Sequence, residues 1–203
     1  MRKAAFIATV CGALVMSGCI TGKQPPTRFY VLDPMPASAP ALDGAPTNPP
    51  LSIDIAALRL PQYLQRPQIV TRTASYELTL DEYHQWGGNL AKNMMSITAR
   101  NLARLLNTAR ITVFSRRPPE PPDIRVEIDV LQFERGPDSR VVLSAHWRLL
   151  SAKDGKPVVA RISDLYSEPI NGKSSMQNMV GQMSELMAQL SDEIATAIIT
   201  HRQ

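Results

Sequence analysis

Hydrophobic and polar positions alternate most regularly in the last third of the chain. Ile124, Val126, Ile128 and Val130 alternate with Arg125, Glu127 and Asp129, which is the period of a half-buried strand. Residues 140–150 and 158–166 continue the pattern, set apart by Gly136-Pro137-Asp138 and Asp154-Gly155-Lys156. Turn-forming clusters between alternating runs predict an antiparallel meander. Upstream, residues 28–32 are rich in β-favouring side chains, and 51–60 alternate until Pro61 stops them. Residues 68–72 and 76–80 read as short strands around a turn, and 111–114 as another.

Two segments switch to helical period. Over residues 81–107, Asn89, Lys92, Asn93, Ser96, Arg100, Arg104 and Asn107 share one polar face. Leu90, Met94, Ile97, Leu102, Leu105 and Leu106 fill much of the remainder, which predicts a helix. Over residues 174–200, Met176, Met179, Val180, Met183, Met187, Leu190, Ile194, Ala197 and Ile198 make one apolar stripe. Ser174 with Gln177 three positions later forms a capping box. Gly181 inside this helix costs about 1 kcal/mol relative to Ala; close packing on the sheet or on a neighbouring subunit would offset it. The expected fold is α+β, a mainly antiparallel sheet with two long amphipathic helices packed on one face.

The beginning of the chain obeys a different pattern. Arg2 and Lys3 precede an uncharged run, residues 4–16, which ends in Ser17-Gly18-Cys19. A basic start, a short apolar stretch and small residues before a cut site describe a secretory signal, too short to span a membrane at roughly 20 residues. The cysteine after Ser-Gly resembles the bacterial lipobox, so cleavage is expected between Gly18 and Cys19, with Cys19 lipidated. Ile20 stands where Asp retains many lipoproteins at the inner membrane, so the expected location is the outer membrane, lipid-anchored on the periplasmic side. The domain plan is a signal peptide at 1–18, the lipidated Cys19 and a tether at 19–27, and one α+β domain at 28–203. A Pro-rich loop at 33–50 interrupts that domain; residues 25–50 hold eight of the 17 prolines.

This partition changes what composition means. The whole chain has 203 residues, two cysteines and a formal charge of +4. Cleavage leaves 185 residues with 20 basic and 18 acidic side chains, or +2. Cys11 goes with the signal and Cys19 is acylated, so no thiol is left for a disulfide, and the core is large enough to need none. A charge of +2 in this compartment gives no reason to expect nucleic acid.

Catalytic and metal patterns are missing. His84 falls at a helix start, His146 in a strand and His201 near the end, none at metal-ligand spacing. There is no Gly-x-Ser-x-Gly elbow, phosphate-cradling glycine loop or Ser-x-x-Lys nucleophile with its supporting motifs. The acidic residues are scattered along strand faces expected to be exposed. The expectation is a non-catalytic protein with no cofactor and no metal. The basic row Lys92, Arg100 and Arg104 suits either a solvated helix face or an anionic surface. The methionines of the last helix suit either a core filling or a pliable binding surface.

One string is specific. Leu60-Pro61-Gln62-Tyr63-Leu64-Gln65-Arg66-Pro67-Gln68-Ile69-Val70-Thr71-Arg72 follows a lipobox and Arg28-Phe29-Tyr30-Val31-Leu32, and precedes Glu82-Tyr83-His84-Gln85-Trp86. With these strings the chain resembles the PqiC-type lipoproteins, the auxiliary lipoprotein component of ABC-type, MCE-domain transport systems. Gln65 replaces an acidic residue common in the family, and Gly87-Gly88 follows Trp86 where an acidic or small polar pair is usual.

The resemblance implies an outer-membrane lipoprotein that docks and anchors a lipid-transport conduit crossing the periplasm. Its partner would be an MCE-domain protein, and it would assemble as a homo-oligomeric ring. In the motif, Pro61 and Pro67 fix φ, Tyr63 and Leu64 offer apolar contact, and Arg66 and Arg72 can grip carboxylates. These four side chains are the candidate partner-binding residues. The other reading of the same string is an ordering loop, with Tyr63 packed and Arg66 paired internally. Two other functions stand beside docking: a periplasmic lipid-binding shuttle with a cavity lined by the Met-rich helix, and a lipoprotein enzyme with an unrecognised site.

Overall fold

The alternating runs of the last third form the expected meander. In the computed structural model, which describes residues 25–45, 50–113, 121–151, 153–170 and 176–202, β6 is Ile124–Arg135, β7 Val141–Ser151 and β8 Pro157–Tyr166. They pair antiparallel in sequence order. Val126, Ile128, Val130 and Phe133 of β6 are buried beside Leu143, Ala145, Trp147 and Leu149 of β7. The expected lipidation and cleavage positions Cys19 and Gly18 and the cap Ser174 lie outside the described residues.

The remaining strands correct the expected sheet. These are β1 (Arg28–Tyr30), β2 (Ile53–Arg59), β3 (Gln68–Ala74), β4 (Glu77–Trp86) and β5 (Ile111–Val113). β1 runs parallel to β4, β2 parallel to both β5 and β6, and β3 touches the end of β6 in parallel. The sheet is mixed, not mainly antiparallel. Hairpin turns announce antiparallel neighbours locally, whereas parallel neighbours need long crossovers that leave no turn signature.

A second correction concerns residues 81–86, expected to open the first helix. They complete strand β4, and the helix α1 spans Leu90–Leu105. Asp81 accepts from the amides of Tyr83 and His84 at 2.9 and 3.0 Å. This local turn coincides with a bulge, because Val70 pairs with Leu80 but Gln68 pairs with Gln85. A bulge breaks period two and imitates helical spacing. The helix starts only after Gly87-Gly88, where the Asn89 side chain caps the Lys92 amide at 2.9 Å.

The second helix, α2, spans Met176–Arg202. Its stripe from Met179 through Met183, Met187, Leu190 and Ile194 to Ile198 is buried. The helices pack on each other, with α1 against β2 and β5, and α2 against β7 and β8. The methionines fill the core; Gly181 does not pack closely, since a Cβ there would meet nothing within 4 Å.

The Pro-rich segment after β1 is strapped along α1. The Leu32 amide donates to Asn93 Oδ1 at 2.8 Å and the Met35 amide to Asn101 Oδ1 at 2.9 Å. Arg104 donates to the Met35 carbonyl at 2.6 Å, and the Leu42 amide to the Leu105 carbonyl at 2.9 Å. Part of the polar face read from α1 is therefore occupied by backbone. Lys92 and Arg100 remain exposed.

Candidate functional site

The motif string leaves β2, turns through a 3-10 turn at Gln62–Leu64 and enters β3. Its tyrosine and last arginine converge on one carboxylate. Tyr63 donates its hydroxyl to Glu134 Oε2 at 2.8 Å. Arg72 Nε and Nη2 donate to Oε1 at 3.0 and 2.9 Å. Gln132 and the Phe133 amide supply two more hydrogen bonds, each 3.0 Å. Glu134 is 0% exposed, so the loop covers a buried anion that five donor groups satisfy. Burial raises the Tyr63 hydroxyl well above its ordinary pKa, and the neighbouring carboxylate adds to it.

Glu134 was among the acids expected to be exposed, and a bulge explains its place. Val130 pairs with Ala145 and Gln132 with Ser144, leaving Leu131 as the extra residue. The insertion moves Glu134 to the side of the sheet used by Glu127 and Asp129. There Arg148 meets Glu127 at 2.6 Å and Asp129 at 3.6 Å, while Arg59 meets Asp129 at 2.7 Å. Arg125 lies 3.5 Å from Asp54, whose carboxyl is pushed up by burial and only partly held down by Arg125.

The four nominated residues thus separate. Tyr63 and Arg72 hold Glu134, Leu64 is buried in the core, and Arg66 is exposed with no hydrogen-bond or ion-pair partner among the described residues. Arg66 lies on the wall of a concavity of about 700 Å³, with Leu58, Leu60, Pro67, Gly88 and Leu90. A smaller cleft of about 110 Å³ beside Tyr30, Val31 and Trp86 shares Gly88 and Leu90 with it. A second groove of about 700 Å³ lies between β1 and α2, walled by Phe29, Val31, Val180 and Gly181, and shares Tyr30 and Val31 with the cleft.

The histidines make no joint site. His84 lies on β4 rather than at a helix start, with Nδ1 2.9 Å from Asp81 and its ring 5.6 Å from Tyr30. His146 is on β7 and His201 at the end of α2. Among the described residues no three His, Cys, Asp or Glu side chains are grouped to hold a metal. No described helix is long and apolar enough to cross a membrane.

The chain belongs to the family of the ABC-type transport auxiliary lipoprotein component, whose model matches residues 30–195. Among curated proteins, no match is found. Among solved structures, the crystal structure of an uncharacterized protein is 21% identical, with a TM-score of 0.66 over 86% of this chain and 99% of that one. A Xanthomonas campestris protein of the DUF330 family model is 16% identical, with a TM-score of 0.61 over 88% and 95%. A PelC dodecamer from Paraburkholderia phytofirmans superposes more loosely, at 12% identity and a TM-score of 0.43 over 78% and 94%. For the first two, the likeness is one of fold.

Proposed function

We propose that this chain is the docking and anchoring lipoprotein of an MCE-type ABC lipid-transport system, held by Cys19 in the outer membrane and facing the periplasm. Gly18 and Cys19 mark the cut, and the mature protein acts as a homo-oligomeric ring that receives an MCE-domain partner. The observation that carries the docking role is Arg66, an unpaired cation on a loop braced by Tyr63, Leu64 and Arg72. The internal hydrogen bonds pre-order the loop, so the partner need not be charged for ordering it. An acidic partner surface entering the concavity beside Leu60 and Pro67 would meet the guanidinium bidentately.

The shuttle reading loses its sequence argument. Met179, Met183 and Met187 are buried in the core, and no methionine lines the three concavities described above.

Arg66→Glu tests the proposal, because an exposed, unpaired side chain can be reversed without disturbing the fold. The variant should keep its circular dichroism and melting temperature but bind the MCE-domain partner about tenfold or more weakly in a pull-down titration. Unchanged capture by the folded variant rules the loop out as the docking element. Sedimentation of the delipidated protein should show an oligomer; a monomer at all concentrations removes the ring.

A further inference from the structure

The groove beside β1 has no part in docking at Arg66, yet it carries the most exposed apolar pair near the tether. Phe29 and Val31 are 66% and 57% exposed. As alternate residues of one extended segment they project to the same side, flanking Gly87, where an added Cβ would lie 3.1 Å from Val31 and 4.0 Å from Phe29. Tyr30, between them, turns the other way toward His84. Among the described strands β1 pairs only with β4. The backbone just beyond them is held in place: the Leu32 amide donates to Asn93 Oδ1 at 2.8 Å and the Asp33 amide to Ser184 Oγ at 3.1 Å.

We infer that this edge is the domain's membrane-contact surface, with Phe29 and Val31 entering the boundary between headgroups and acyl chains of a phospholipid bilayer. The inference rests on the anchoring of Cys19 proposed above and deepens it. Nine residues lead from Cys19 to Arg28, at most about 30 Å when extended. The start of β1 is therefore held within that distance of the bilayer. Arg28, exposed beside Phe29, has the charge to meet lipid phosphates. Shallow insertion of two apolar side chains adds to the anchor and fixes how the domain faces the periplasm.

Every described element begins at or after Arg28, so the chain starting at Cys19 carries all of them. Its thiol can be coupled to maleimide-headgroup lipid in phosphatidylethanolamine–phosphatidylglycerol vesicles, which supplies an anchor whether or not the cell lipidates Cys19. A Phe29→Trp probe in such vesicles should be quenched by brominated acyl chains beyond the background of Trp86 and Trp147. A Tyr76→Trp probe, in the turn at the far end of β4, should not be. Without coupling, Phe29→Ser with Val31→Ser should lower vesicle partitioning at least about tenfold, the loss of two apolar contacts, with melting unchanged. Equal quenching at both probes, or none at residue 29, overturns the inference. So does protection of the Phe29→Trp probe without lipid in a sedimenting oligomer, which assigns the edge to a second copy. Failure of cellular anchoring alone would instead strike at the Cys19 reading and leave the vesicle result standing.

Discussion

Glu134 decides how the motif should be interpreted at the scale of single residues. A carboxylate with no exposure is tolerable only when its oxygens are occupied, and here five donor groups occupy them. Removing Arg72 as Arg72→Ala strands the charge and should destabilise the protein by about 3 kcal/mol, seen as a lower urea midpoint. Tyr63→Phe removes only one donor and should cost about 1–2 kcal/mol near neutral pH. The tyrosine also predicts an alkaline signature. Its native pKa is raised above the ordinary tyrosine value of about 10, so above that pH the unfolded chain releases the proton first. Stability contributed by Tyr63 is complete below pH 10 and lost as pH rises beyond it. Urea melts between pH 9 and 11 should show that decline flattened in Tyr63→Phe; an unchanged slope denies the hydroxyl its buried role.

At the scale of elements, legibility followed how local each determinant was. β6, β7 and β8 could be read because alternation and turn residues lie within the strands themselves and the loops joining them. Residues 81–86 could not, because the Asp81 turn and its bulge displace polar residues into helix-like spacing before Asn89 starts the true helix. Glu134 was missed for a related reason: Leu131 shifts the face of every later residue in β6, and only the pairing partner reveals it. The loop at 61–67 was singled out by its resemblance to a family string, but the division of labour within it depends on an acid about seventy positions away. Gly181 offers a clean element-scale test. It lies inside α2 facing open space, so Gly181→Ala should gain about 1 kcal/mol from helix propensity with no steric cost. A higher melting temperature is expected, and a lower one would show that the groove floor needs the missing Cβ.

For the whole molecule, anchoring and docking are proposed to reside in different parts of the chain, and this separation can be measured. The anchor precedes β1, whereas Arg66 stands on the loop between β2 and β3, braced from β6. Arg66 makes no hydrogen bond or ion pair among the described residues, and Cys19 precedes every described element. Cys19→Ala should therefore move the protein from the outer-membrane pellet to the soluble periplasmic fraction while leaving partner capture in solution intact. Arg66→Glu should do the reverse, remaining in the pellet without its partner. The physical basis is additive: two acyl signals hold a protein far more firmly than one at about 0.8 kcal/mol per buried methylene, and no contact of Arg66 adds to that hold. A double variant should show both losses with no coupling between them. If Cys19→Ala still pellets with the outer membrane only when the partner is present, docking itself recruits the protein. The lipid would then set its orientation on the membrane rather than its residence there.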